Sequence, residues 1–328
     1  MKKAISYSLI ALLLFISACS SDDTEKVNNN DNKDTPEEIT FAASSVGGFW
    51  YTLAGAMEDN ILSIYPDSSL AIVEGGSIAN MLGLYEGKFT IGFTSGPFIK
   101  AGIAGNDPFD EKIENVSTIA TLYPTDFHLV VKEDSDIYEI EDLKGKIVSP
   151  GIKGYGGELI FKDILDVYGM SYDDLSNIEY TGTDDAAELL RDDHIDAIAG
   201  ILAVPNATIQ ELDSTIGVRL ISIDDDKIKE LNEVNEGYLT NVIEEGSYPS
   251  TDEDITTVAP FSTLVVNDDL MSEDDVYEFT KMLFEERETW ESLSPAMEKF
   301  SPEYSIENNV GELNPGAEKY YEEMDVLD

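Results

Sequence analysis

The sequence repeats one order of elements, and that repeat restricts the fold more than any other feature. The first copy occupies residues 39–96. Ile39-Thr40-Phe41-Ala42-Ala43 reads as a short buried strand, followed by a turn from Ser44 to Tyr51 that holds Gly47 and Gly48. Leu53, Met57, Ile61 and Ile64 recur at helical spacing until Pro66-Asp67 breaks the pattern. Leu70-Ala71-Ile72-Val73-Glu74 is a second strand. Gly75-Gly76-Ser77 is a second glycine turn, with Ser77 as the expected N-cap of a short helix through Ile78, Met81, Leu82 and Tyr85 that Gly87 ends. Phe89-Thr90-Ile91-Gly92-Phe93 alternates as a third strand and ends in Thr94-Ser95-Gly96.

The second copy occupies residues 146–200. Lys146-Ile147-Val148-Ser149 is a strand, and Gly151, Gly154, Gly156 and Gly157 make a glycine-rich turn. Ile160, Phe161, Ile164, Leu165, Val167 and Tyr168 mark a helix, and Asn177-Ile178-Glu179-Tyr180-Thr181 a strand. Gly182-Thr183-Asp184-Asp185 is a turn with another expected N-cap, Ala187, Leu190 and Arg191 sit in a short helix, and residues 195–200 form a strand. Such alternation gives a mostly parallel sheet with helices on both faces. The expectation is α/β, with two lobes and a cleft between them. Ligands of such sheets bind beyond the carboxyl ends of the strands, where all four glycine turns fall. Two fused α/β domains without a shared site are the alternative. Phe127-His128-Leu129-Val130-Val131 and Ser262-Thr263-Leu264-Val265-Val266 read as the two strands that cross between lobes. The expected division is residues 39–123 plus 261–328 for lobe 1 and 124–260 for lobe 2. Helices after Asp274 and around Pro315 return to lobe 1.

The acid count bears on partners. There are 67 Asp plus Glu against 20 Lys plus Arg, for a formal charge of −47, and the acids are spread along the chain. Phosphate recognition needs clustered cations, so nucleic acid is excluded as a partner. The bland reading is a solvated acidic surface; a saline habitat is its sharper form.

Lys2 and Lys3 precede an apolar run from Leu9 to Ile16, which has the order of a secretory signal. The run ends Ile16-Ser17-Ala18-Cys19 and resembles the lipobox of bacterial lipoproteins, so residues 1–18 are expected to be removed and Cys19 lipidated. Cys19 is the single cysteine, which excludes disulfides, thiol catalysis and cysteine-based zinc sites elsewhere. Residues 19–38 are mostly Ser, Asp, Asn, Glu, Lys and Thr and read as a flexible tether. The expected location is the outside of a bacterial membrane, facing the periplasm or the cell exterior.

Four motifs in order carry a family resemblance across nearly the whole mature chain. They are Ser45-Val46-Gly47-Gly48-Phe49-Trp50-Tyr51 and Glu74-Gly75-Gly76-Ser77-Ile78-Ala79-Asn80. Then come Leu122-Tyr123-Pro124 with His128-Leu129-Val130-Val131 and Asp142-Leu143-Lys144-Gly145-Lys146, and last Asn314-Pro315-Gly316-Ala317-Glu318-Lys319-Tyr320-Tyr321. They resemble the TAXI-family solute receptors of tripartite ATP-independent periplasmic (TRAP) transporters. The resemblance implies a two-lobed type II periplasmic-binding-protein fold that closes on a small organic anion, of the dicarboxylate or acidic amino acid (glutamate) type. It also implies a monomer that delivers the solute to an integral-membrane TRAP permease and needs no cofactor or metal. The second-lobe turn departs from the family, which carries a small hydroxyl residue among the glycines; here it reads Lys153-Gly154-Tyr155-Gly156-Gly157-Glu158.

The candidate ligand-binding residues are Ser45, Gly47, Gly48, Trp50, Tyr51, Gly76, Ser77, Thr94, Ser95 and Tyr123 on the first side of the cleft. On the second they are Ser149, Gly154, Tyr155, Gly156, Gly157, Thr183 and Asp184. The three arginines, Arg191, Arg219 and Arg287, lie off these turns, which argues against a guanidinium clamp and for helix N-termini and hydroxyls as anion donors. Lys153 is the one cation on such a turn, and an exposed lysine is its plainer reading. Trp50 and Tyr51 serve equally as core packing. Glu74 and Glu158 read as solvated or helix-terminal charges. His128 reads as a structural histidine, His194 as solvent-facing, and Asp184-Asp185 as a cap and first-turn acid rather than a cation site. Nothing assembles a nucleophile with its base, so the expected function is binding without catalysis. An enzyme on the same fold and a lipid-anchored surface protein that binds another protein are the alternatives.

Overall fold

A computed structural model describes residues 35–46 and 48–327. The expected signal segment, Cys19, residues 19–34 of the tether and Gly47 lie outside the described residues. Strand β1 (Glu38–Ala42) buries Ile39 and Phe41, and helix α1 (Phe49–Ile64) buries Leu53, Ala54, Met57 and Ile61 on one face. β2 (Ser69–Val73), α2 (Ser77–Tyr85) and β3 (Ile91–Ser95) complete the first copy. Two details differ from expectation. Ser77 is the first helical residue, not the cap, because Gly76 takes the cap position and its N–H donates to Asn80 Oδ1 at 3.2 Å. β3 starts two residues late because Phe89 packs over Gly83, where even a Cβ would lie 2.1 Å from the ring.

Helix α3 (Gly96–Ala104), outside the repeat, follows β3 directly, with Pro97 in its first turn and Gly105 in the left-handed region at its end. β4 (Val116–Pro124) leads into β5 (Asp126–Lys132). The second copy is β6 (Ile147–Ser149), α4 (Gly156–Val167), β7 (Asn177–Ile178), α5 (Thr183–Arg191) and β8 (Ala197–Leu202). β7 is shorter than expected because only β6, itself three residues long, pairs with it. β8 runs on to Leu202 because β5 pairs with it that far, Asp126 opposite Leu202. The cap expected of Asp184 is absent; Gly182 holds the cap position, and Asp184 and Asp185 are both first-turn acids.

Then come α6 (Ala207–Ile216), β9 (Val218–Leu220), α7 (Asp225–Val234) and an antiparallel pair, β10 (Leu239–Ile243) with β11 (Ile255–Ala259). β12 (Phe261–Asn267) is followed by α8 (Glu273–Glu285), α9 (Arg287–Glu291), α10 (Pro302–Glu307) and α11 (Pro315–Glu323). Among the described residues no helix is long and apolar enough to cross a membrane.

The two sheets share one topology. Their orders are β2-β1-β3-β12-β4 and β7-β6-β8-β5-β9. In each, three strands of the repeat pair in parallel, and the fourth in line, β12 or β5, runs antiparallel to both neighbours. The strands expected to cross between lobes each lie within one sheet, β5 in the second and β12 in the first, and the chain passes between sheets just ahead of each. They start side by side: Thr125 donates its N–H to Pro260 O at 3.0 Å and its hydroxyl at 2.6 Å. The last helix packs on the first sheet, where Tyr321 donates its hydroxyl to Ile119 O at 3.0 Å.

A buried apolar cluster joins Met81, Phe98 and Ile99 of the first sheet's helices to Phe127, Ile160 and Phe161 of the second sheet and its helix α4. The facing ends touch at backbone distance. A Cβ on Gly237 would lie 2.3 Å from Pro97 N, and one on Gly156 2.8 Å from the Phe98 ring. Asn235 Nδ2 donates to Pro97 O at 2.9 Å, and Lys100 pairs with Glu236 at 2.8 Å.

Candidate ligand site

A cavity of about 310 Å³ opens at the carboxyl ends of β6 and β8. Ser149, the last residue of β6, lines it with a fully buried side chain whose hydroxyl has no hydrogen-bond partner. Buried polar atoms are almost always paired in native proteins, so an unpaired one marks a place to look for a function. The 150–155 loop folds back over the cavity, with Gly151 at φ 89° and Gly154 at φ 80°, both in the region that favours glycine.

Helices α4 and α5 open onto the same cavity. Tyr155, Gly157 and Glu158 line it from the start of α4; Gly182, Thr183 and Ala186 line it from the start of α5. Tyr155 and Gly182 are their N-caps, and neither helix has a capping side chain. First-turn N–H groups without capping side chains suit an anion at the wall between them, although Glu158 in α4 and Asp184 and Asp185 in α5 offset part of the helix dipoles. Ile198, Ile201 and Leu202 supply an apolar wall.

Glu158 is a helix-terminal charge, one of its two expected readings, but it is not solvated. Its side chain is buried, with Oε1 2.6 Å from Lys162 Nζ and Oε2 accepting the Gly154 N–H at 3.2 Å. It ties α4 to the glycine loop and neutralises Lys162. Glu74 is exposed as expected, and accepts the Val46 N–H at 2.8 Å. Lys153 is exposed, 5.3 Å from the Tyr180 ring centre.

Of the candidate residues, the cavity brings together Ser45, Ser149, Tyr155, Gly157 and Thr183. Gly154 and Gly156 shape its loop, and Asp184 turns away to accept the Thr208 hydroxyl at 2.6 Å. The first-sheet candidates other than Ser45 do not line it. Gly48 closes the Ser45 turn through its N–H at 3.0 Å, and Gly76 packs beneath the Tyr155 ring. Ser77 and Ser95 share a hydrogen bond of 2.7 Å, and Thr94 donates to Ser77 O at 3.2 Å. Trp50 stacks on Phe93 and donates its indole N–H to Ser262 at 2.6 Å. Tyr51 packs against the core of the first sheet, and Tyr123 is buried edge-on to Phe49. Burial pushes the Tyr123 phenol up from its ordinary value.

The residues missed from sequence are chiefly Ile198, read as an ordinary strand residue, and Ile201 and Leu202, which lie beyond the strand read at 195–200. The signal for them was positional, since they end the strand that the crossing strand pairs with. Asn80 closes the Glu74–Asn80 motif, where sequence alone gives it no role of its own. It is buried, and its amide donates to Ala43 O and Phe93 O at 2.8 Å each, which ties two strand ends to the Gly75-Gly76 turn. A larger hollow of about 790 Å³ lies between α4 and α7, but its Lys227 is already paired with Glu230 at 2.7 Å. His128 is buried away from the cavity, and Arg219 donates to Ser135 O and Ile137 O. Among the described residues no three acids or histidines are grouped to hold a metal ion.

A family model described as NMT1-like matches residues 41–324, nearly all of the described chain. The chain belongs to the NMT1-like family. Solved structures resemble it in fold. PhnD1 from Prochlorococcus marinus, in complex with methylphosphonate, is 13% identical with a TM-score of 0.50, over 76% of this chain and 85% of that one. A Xanthomonas citri protein bound to chloride ion is 12% identical with a TM-score of 0.51, over 88% and 96%. The periplasmic aliphatic sulphonate binding protein SsuA of Escherichia coli is 18% identical over 90% of each chain, with a TM-score of 0.48. The NMT1-like chain thus has the two-lobed α/β periplasmic-binding fold, built on two mixed sheets flanked by helices.

Proposed function

We propose that the protein is an exported solute receptor that closes on a small organic anion and hands it to a membrane permease. One observation carries the reading: the buried, unpartnered Ser149 hydroxyl lies in a cavity onto which two uncapped helix N-termini open. An anion there would accept from Ser149 and from first-turn N–H groups, which needs no arginine. The lobes, residues 39–123 with 261–328 and residues 124–260, would rotate about the paired crossings at Thr125 and Pro260. Contacts to Ser45 on one side and α4 and α5 on the other would favour the closed state. The motif resemblance supports a TAXI-type receptor, a TRAP permease as the recipient, and an anchor through lipidated Cys19 on the outer side of a bacterial membrane. It names dicarboxylates and acidic amino acids as ligands.

The test is calorimetric titration of the wild type and Ser149→Ala with a panel of organic anions. The wild type should bind at least one without turnover, and Ser149→Ala should raise Kd by about tenfold or more. The same substitution removes an unpaired buried hydroxyl, so the ligand-free variant should be no less stable in urea than the wild type. Unchanged affinity in Ser149→Ala would remove the basis of this reading.

A further inference from the structure

We propose that the cavity selects a monocarboxylate with a short aliphatic chain and rejects dicarboxylates. The proposal rests on reading this cavity as the solute site and narrows its ligand. One end of the cavity is built for negative charge: the Ser149 hydroxyl, fully buried and unpartnered, and the starts of α4 and α5. The other walls offer no second such end. Ile152, Ile198, Ala199, Ile201 and Leu202 present hydrocarbon, and Ser45 and Thr181 add neutral hydroxyls but no cation.

No lysine or arginine lines the cavity among the described residues. Its one charged residue is Glu158, whose carboxylate is held by Lys162 and the Gly154 N–H. A second carboxylate on the ligand would therefore meet apolar side chains or neutral hydroxyls and no cation, and Glu158, the charged residue of the lining, would repel it. Burying an ionised group without a partner is strongly unfavourable, whereas methylenes gain by leaving water for the same wall. The size agrees. At ~30 Å³ for each non-hydrogen atom, the cavity of about 310 Å³ takes about ten of them, the count in an eight-carbon monocarboxylate.

The experiment is titration of the full-length protein with butanoate, hexanoate, octanoate and decanoate, and with glutarate and adipate. Kd should fall about fourfold for each added methylene and stop falling near eight carbons. Adipate should bind at least about a hundredfold more weakly than hexanoate. Ile201→Lys, which places a cation on the apolar wall, should narrow that gap by about tenfold or more. The wild-type comparison decides by itself if this variant does not fold. Glutarate or adipate binding as tightly as hexanoate would overturn the selectivity and leave the organic-anion reading standing. Alkanoates that bind without dependence on chain length would overturn it too. Failure of every anion of both panels to bind the wild type would overturn both.

Discussion

Asp126 and His128 stand two residues apart on the strand that enters the second sheet, and burial acts on them in opposite directions. The Asp126 carboxyl is buried and accepts from Asn241 at 2.7 Å; burial raises its pKa to about 6. His128 is buried between Asp126 O at 2.8 Å and the Tyr248 hydroxyl at 2.9 Å, and burial lowers its pKa to about 4. Its Nδ1 donates to the carbonyl, so neutral Nε2 accepts from Tyr248, whose oxygen takes the Asn206 N–H at 3.0 Å. The folded-state pKa of Asp126 lies above its unfolded value, so its contribution is present below about pH 4 and is lost as pH rises to about 6. The folded-state pKa of His128 lies below its unfolded value, so its contribution is present above about pH 6.5 and is lost as pH falls to about 4. The two nearly cancel, at about 3 kcal/mol each. Asp126→Asn should leave the histidine unopposed. Its stability relative to wild type in urea should then rise by up to about 3 kcal/mol between pH 4 and 6.5, and no change would refute the assignment. Asn80 contributes in another way. Asn80→Ala would strand the carbonyls of Ala43 and Phe93 in the core and should cost about 3 kcal/mol in the same assay.

The elements were legible where period and glycine punctuation agreed. Leu53, Met57 and Ile61 placed α1, and the two glycine turns placed α2 and α4 within a few residues. Helix α3 escaped because Gly96-Pro97 reads as the end of a strand, although proline suits a first helical turn. The sequence also could not say which glycine turn would hold the cavity. Both copies have the same punctuation. In the first, Ser77 and Ser95 pair with each other and Trp50 finds Ser262; in the second, Ser149 is left unpaired. Such partnerships depend on tertiary packing that no local spacing encodes. The backbone contact of the 235–238 loop with α3 is a further feature of this kind. Gly237→Ala puts a methyl group 2.3 Å from Pro97 N, so the two segments must part. That should disfavour closure and raise the ligand Kd by about tenfold, with a smaller change in the urea midpoint. Unchanged affinity would mean that this contact does not report closure.

At the scale of the molecule, the repeat foretold two sheets with one topology, and the crossing strands β5 and β12 complete them in opposite order along the chain. The charge of −47 is a property of the whole surface. Mutual repulsion among these acids opposes the compact state, so screening should help folding. Raising salt from about 0.05 M to about 1 M should raise the thermal midpoint, and a lower midpoint would contradict this. The proposed ligand site is more local: an organic anion would sit on the 150–157 glycine loop, held by Ser149 and two helix N-termini. A crystal structure of the protein with hexanoate tests it most directly. A carboxylate oxygen should lie within hydrogen-bond distance of Ser149 Oγ, with the chain along Ile198, Ile201 and Leu202. A ligand seated against Trp50 and Tyr51, with the Ser149 hydroxyl still unpaired, would contradict it.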